Sequence, residues 1–170
     1  MDEHHDLEEL ADRLWDEREV VEYLLYKLTV TRLLLAADEH RFVRHALQDV
    51  ERTIELLRQG EQRRDATVRR LAARWDVDPA VLTLPELARR APEPFGHVFA
   101  DQHRAFRDLA EEIDVLTHSN RALVREQVDL VTTSLHLLTG QDRRDAATYD
   151  ATGSVDGAAT GVGAQFRKAL

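Results

Sequence analysis

The sequence predicts an all-α chain: a long antiparallel α-hairpin and a third long helix in a coiled-coil-like bundle, with a short helical connector and a disordered C-terminal tail. All four prolines, Pro79, Pro85, Pro92 and Pro94, fall in one 16-residue window, which marks a single punctuated connector. Residues 7–75 contain only one glycine, Gly60, and residues 97–139 contain none, so two tracts are nearly free of helix breakers. Aromatics make up 6% of a leucine-dominated chain, which suits helix-on-helix packing better than a sandwich or a barrel.

The first helix follows from steps of three and four. Leu7, Leu10, Leu14, Glu17, Val21, Leu24, Leu28, Thr31 and Leu35 form a seam in which seven of nine positions are apolar. It should end near Ala37, where Asp38 offers a turn or cap. A second seam then runs through Val43, Leu47, Val50, Ile54, Leu57, Glu61, Arg64, Val68, Leu71 and Trp75, with eight of ten apolar. A turn at residues 37–40 would lay the acidic stretch 1–19, with nine Asp or Glu against Arg13 and Arg18, beside residues 58–74, with six arginines against Glu61 and Asp65. That pairing sets antiparallel orientation more than it adds stability.

Residues 76–94 contain two helix-start signatures, Asp78 before Pro79 and a capping box from Thr83 to Glu86, each opening at most two turns. Leu82, Leu84 and Leu87 are expected to plug the end of the bundle. The third helix should run from about Phe95 to Thr139 and stop at Gly140. At about 1.5 Å per residue the three long helices measure roughly 45–65 Å. From Gln141 onward the chain is rich in Gly, Ala, Thr and Asp and lacks periodicity. The expected organisation is therefore a helical domain over 1–140 and a flexible tail over 141–170.

Composition also excludes functions. There is no cysteine, hence no disulfide, thiol nucleophile or thiolate metal site. A net charge of −9 argues against nucleic-acid binding. No stretch reaches the roughly 20 apolar residues of a membrane span, and the acidic start does not resemble a signal peptide, so a cytoplasmic protein is expected. His97 with Asp101, and Asp114 with His118, are one turn apart, but such pairs are common on solvated faces and no Glu-x-x-His motif exists. No nucleophile elbow, phosphate loop or paired-carboxylate cleft is present, so neither an enzyme nor a metal or cofactor is expected.

The third helix holds the anomaly. From Asn120 its seam alternates polar and apolar through Leu123, Gln127, Leu130, Ser134 and Leu137, while a wholly apolar stripe of Val124, Val128, Val131, Leu135 and Leu138 runs beside it. By 100° per residue the two cover about 180° of the helix, more than one neighbour buries. Either this half is sunk between the first two helices, or it leaves a groove completed by a partner's amphipathic helix. A self-associating coiled-coil module without a client would use the same stripe.

The stretches LWDEREVVEYLLYKL, RRDATVRRLA, TLPELA, SNRALV and TYDATG, in that order and spacing, resemble the FlgN family of flagellar export chaperones over about residues 10–153. The resemblance implies a chaperone that binds the C-terminal helices of flagellar hook-associated proteins, prevents premature assembly and delivers them to the type III export gate. It places client binding on Asn120, Leu123, Val124, Gln127, Val128, Val131, Leu135 and Leu138. It also places docking on the cytoplasmic domain of the gate at Tyr149. The family's Asn-x-x-Asn pair is here Thr117 and Asn120, which puts any role needing both asparagines in question. A weak homo-oligomer is the remaining expected self-contact.

Overall fold

The computed structural model describes residues 3–139, with the backbone alone for 135–139. Helices α1 (Glu3–Ala36) and α2 (His40–Trp75) form the hairpin, a 3₁₀ turn (Pro79–Val81) and α3 (Leu84–Arg90) form the connector, and α4 (Phe95–Thr139) is the third long helix. The expected tail, Gly140 and Tyr149 lie outside the described residues. Among the described residues no helix is long and apolar enough to cross a membrane.

Both long helices of the hairpin end on a left-handed aspartate rather than on glycine. At the end of α1, Asp38 has φ 60°, its N–H donates to Leu35 O, and the N–H of Glu39 donates to Leu34 O. At the end of α2, Asp76 has φ 52° and its N–H, like that of Val77, donates to Ala72 O. These are Schellman-type closures, and a short polar side chain tolerates the positive φ they require.

Helix α1 is central and packs against both α2 and α4, while α2 and α4 scarcely touch. Its pairing with α2 is antiparallel: Trp75 Nε1 donates to Glu3 at 3.0 Å, Arg64 to Glu17 at 2.7 Å and Lys27 to Asp49 at 2.8 Å. Arg70 and Arg74 both bond Asp6, at 3.0 and 3.1 Å, and Arg70 also reaches Glu9. The acidic and arginine-rich stretches therefore meet as the sequence implies.

The inward face of α2 is not the one the largest apolar residues suggest. Of the ten seam positions read from the sequence, only Leu57 and Leu71 are buried; Leu47 is exposed and the others are half-buried. Ala46, Thr53, Leu57, Thr67, Leu71 and Ala72 face inward instead. Small residues let the helices approach closely. The hydroxyls of Thr53 and Thr67 are satisfied by Asp49 O and by the Glu9 carboxylate, so they bury without leaving unpaired polar groups.

Helix α4 runs parallel to α1. The His4 ring lies 5.1 Å from that of Phe95, Asn120 Nδ2 donates to Leu28 O at 3.1 Å, and Gln127 Nε2 donates to Leu35 O at 2.8 Å. The last two pairs share a sequence separation of 92, so the last residue of α1, Ala36, is level with Val128. The eleven residues of α4 beyond Val128 extend about 16 Å past that level.

The core concentrates at the connector end. Leu7, Leu10 and Leu14 of α1 pack with Leu82, Leu84, Leu87, Phe95, Phe99 and Phe106, all buried, so the connector leucines plug the bundle as expected. Gly96 has a steric role here: a Cβ would sit 3.0 Å from Ala88 O and 3.2 Å from Ala91 O, so α4 starts in direct contact with the end of α3. One local reading is corrected. Asp78 does cap its turn, accepting from Ala80 N at 2.9 Å, but Thr83 makes no side-chain cap bond. The capping box fails because Glu86 turns forward to pair with Arg89 and Arg90.

Candidate functional site

Three features of the fold converge on the hairpin-turn end of the bundle. Both α2 and α4 lean on α1 but not on each other, α4 outruns α1, and α2 turns Val43 and Leu47 away from the hairpin interface. Together they leave an open groove of about 1160 Å³. Leu35, 4% exposed, forms part of its wall, with Val43 and Leu47 from α2 and Val124, Val128 and Val131 from α4.

Burial along α4 falls away toward this groove. Phe99, Phe106 and Ile113 are buried; Val124 is 45% exposed, Val128 56%, Val131 60% and Leu130 62%. Exposed apolar residues scattered singly are ordinary on a surface, but here they form one contiguous strip beside a second apolar wall. Polar groups mark the rim: Asp38 with His40 beside it at 2.7 Å, Arg44, Gln48 and Glu51.

The polar positions of the α4 seam serve to fix the helix. Asn120, 9% exposed, and Gln127 each donate a side-chain amide to a main-chain carbonyl of α1, seven residues apart on both helices. Gln127 thereby supplies a second donor to the last-turn carbonyl of Leu35, which also accepts from the Asp38 N–H at 3.2 Å. These two bonds hold register where the apolar core thins out. Of the sequence-predicted site residues, Val124, Val128 and Val131 are exposed in the groove, Leu123 is half-buried, and Gln127 is half-buried on its floor. Leu135 and Leu138 lie on α4, but their side chains are outside the described residues, as is Tyr149. Sequence reading missed Val43 and Leu47 as groove residues, having assigned them to the hairpin seam; the small Ala46 between them was the signal that the inward face lay elsewhere.

The histidine pairs of α4 have other partners. His97 Nδ1 lies 2.7 Å from Glu93 Oε1, Asp101 pairs with Arg104, and His118 Nδ1 contacts the main-chain oxygen of Asp114. Among the described residues no group of three or more His, Asp or Glu is placed to hold a metal ion.

Titration is perturbed mainly in the α1–α2 interface, away from the groove. Burial pushes the Glu17 carboxyl up to about 7, overcoming the attraction of Arg64, and the nearby Glu61 and Asp65 act in the same sense. Burial also opposes ionisation of Asp6, but Arg70 and Arg74 hold its carboxyl below the usual range. The bond from Arg13, with Arg70 beyond it, does the same for Glu9. Nearer the turn, the bond to Asp49 and then Tyr23 raise Lys27 above the ordinary lysine value.

An open apolar trough with fixed helical walls and a polar rim binds an amphipathic helix more readily than a small polar substrate. The model of the family described as FlgN protein matches residues 1–157. The chain belongs to the FlgN family. FlgN proteins are flagellar export chaperones, and the match takes in all four helices of this FlgN chain together with Tyr149. No curated protein and no solved structure matches it. The FlgN match ends at residue 157, leaving residues 158–170 beyond it.

Proposed function

We propose that this FlgN chain is a cytoplasmic chaperone that receives the amphipathic C-terminal helix of a flagellar hook-associated protein in the groove between α2 and α4. It keeps that helix from assembling prematurely and delivers its client to the export gate. The observation supporting this is the apolar strip Val124, Val128 and Val131 facing Val43 and Leu47 across an open trough. Covering the exposed half of each of these side chains yields about 1 kcal/mol, to which the client's own apolar face adds, against an ordering cost of about 2–5 kcal/mol for a client that folds on binding. The balance allows specific binding that an export machine can still reverse.

Calorimetric titration with a synthetic C-terminal helix of a hook-associated protein, with mass measured by light scattering before and after, tests the reading. Saturable one-to-one binding is expected. A stable dimer indifferent to the peptide contradicts it and favours the self-associating coiled-coil module, which would bury the same strip against a second copy.

Tyr149 is proposed as the contact to the cytoplasmic domain of the export gate. Its substitution, Tyr149→Ala, is expected to leave the client dissociation constant unchanged while weakening gate association in a pull-down with that domain. Parallel loss of both would assign the tyrosine to the client site instead.

A further inference from the structure

The groove opens beside the root of a segment whose sequence can fill it. Helix α4 ends at Thr139, and the groove residues Val124, Val128 and Val131 lie 8–15 residues back along it, about 12–22 Å. The chain continues for 31 residues beyond Thr139. Its last large apolar residues are Val162, Phe166 and Leu170, spaced by four, which places them along one face of any helix formed on docking. Phe166 and Leu170 flank the cations Arg167 and Lys168, while the groove rim carries Asp38 and Glu51 against Arg44, with His40 Nε2 2.7 Å from Asp38. Residues 140–161 between the helix and this segment span up to about 70 Å when extended, several times the distance required. The segment lies past residue 157, where the family match ends.

We infer that residues 162–170 dock in the α2–α4 groove of their own chain and compete there with the client. This rests on the proposed client site. The contact is intramolecular and so needs little intrinsic affinity. A tether of about 20 residues gives an effective concentration on the order of 1 mM, so a segment with a dissociation constant of about 0.1–1 mM occupies the groove half to nine-tenths of the time. The competing segment covers the apolar strip while no client is present and weakens client binding about 2–10-fold.

The chain has no cysteine, so one introduced as Ala169→Cys can carry a nitroxide at a single site in the full chain. Methyl relaxation is expected to be enhanced at Val43, Leu47, Val128 and Val131, and the enhancement is expected to vanish on adding Phe166→Asp. Enhancement unaffected by Phe166→Asp, centred on another surface, or transferred from labelled to unlabelled chains in a mixed sample, overturns the inference. Calorimetry with the synthetic client helix is the second arm. Phe166→Asp in the full chain is expected to tighten binding about 2–10-fold. Equal affinity in wild type and Phe166→Asp defeats the tail inference while leaving the client site standing. Failure of the peptide to bind either protein defeats the client site, and with it the competition.

Discussion

At the connector end of the bundle α4 packs between α1 and α3, and Phe99 and Phe106 are buried with the connector leucines; at the hairpin-turn end, among the described elements, α4 leans on α1 alone and leaves its valines exposed. The same helix thus serves two purposes along its length. Apolar surface is converted into stability where a second neighbour covers it and remains available for binding where none does. The difference has a simple geometric origin: α3 and the 3₁₀ turn cover the lower part of the bundle, and among the described residues no comparable element covers the upper part.

The largest expected effect is the asymmetry in stability. Phe99→Ala opens a cavity at a fully buried site and is expected to cost about 3–5 kcal/mol in chemical denaturation. By contrast, Val128→Asp with Val131→Asp, both at exposed positions, should change stability by less than about 1 kcal/mol. Comparable destabilisation by the two variants would mean that the upper groove is closed in solution.

A second effect separates the ends by pH. Glu17 has a folded-state carboxyl raised to about 7, above its unfolded value near 4.5, so folding takes up a proton between these values. Stability from this group is fully present below about pH 4.5 and is lost as pH rises through about 7. Relative to Glu17→Gln, the wild type is expected to lose up to about 3 kcal/mol across that window and to change little above it. Asp6, Glu9 and Asp49 are shifted downward and act in the opposite sense at lower pH, but they are common to both proteins and cancel in the difference. A flat difference between pH 4.5 and 7.5 would contradict the buried, under-compensated state of Glu17. The wild-type slope is expected to persist in the Val128→Asp, Val131→Asp protein, because the groove lies apart from this interface.

The smallest effect belongs to the register bonds. Gln127→Ala removes one amide-to-carbonyl bond at the upper end and is expected to cost about 1 kcal/mol. Faster amide exchange should appear in the last turn of α1, with the connector end unchanged.

Much of this comparison was legible before any coordinates. The proline window located the connector, the charge blocks at 1–19 and 58–74 fixed the hairpin direction, and the doubled stripe from Leu123 onward marked a helix with more apolar surface than one neighbour covers. The inward face of α2 was not legible by hydrophobicity, because Thr53, Thr67 and Ala46 define it by being small and internally satisfied. Nor was the second wall of the groove. Val43 and Leu47 look like seam residues until the offset of 92 between α1 and α4 and the separation of α2 from α4 are known, and both depend on long-range packing. The capping box at Thr83 failed for a related reason: Glu86 had two arginines within a turn competing for it.

The central claim is that the hairpin-turn end binds and the connector end stabilises. Its most direct test is a paired measurement on the Val128→Asp, Val131→Asp protein: the denaturation midpoint and the dissociation constant for a synthetic hook-associated C-terminal helix. A midpoint close to wild type with affinity reduced at least about 100-fold is the predicted result. An unchanged dissociation constant in a protein of unchanged stability would contradict it and move the client elsewhere on the molecule.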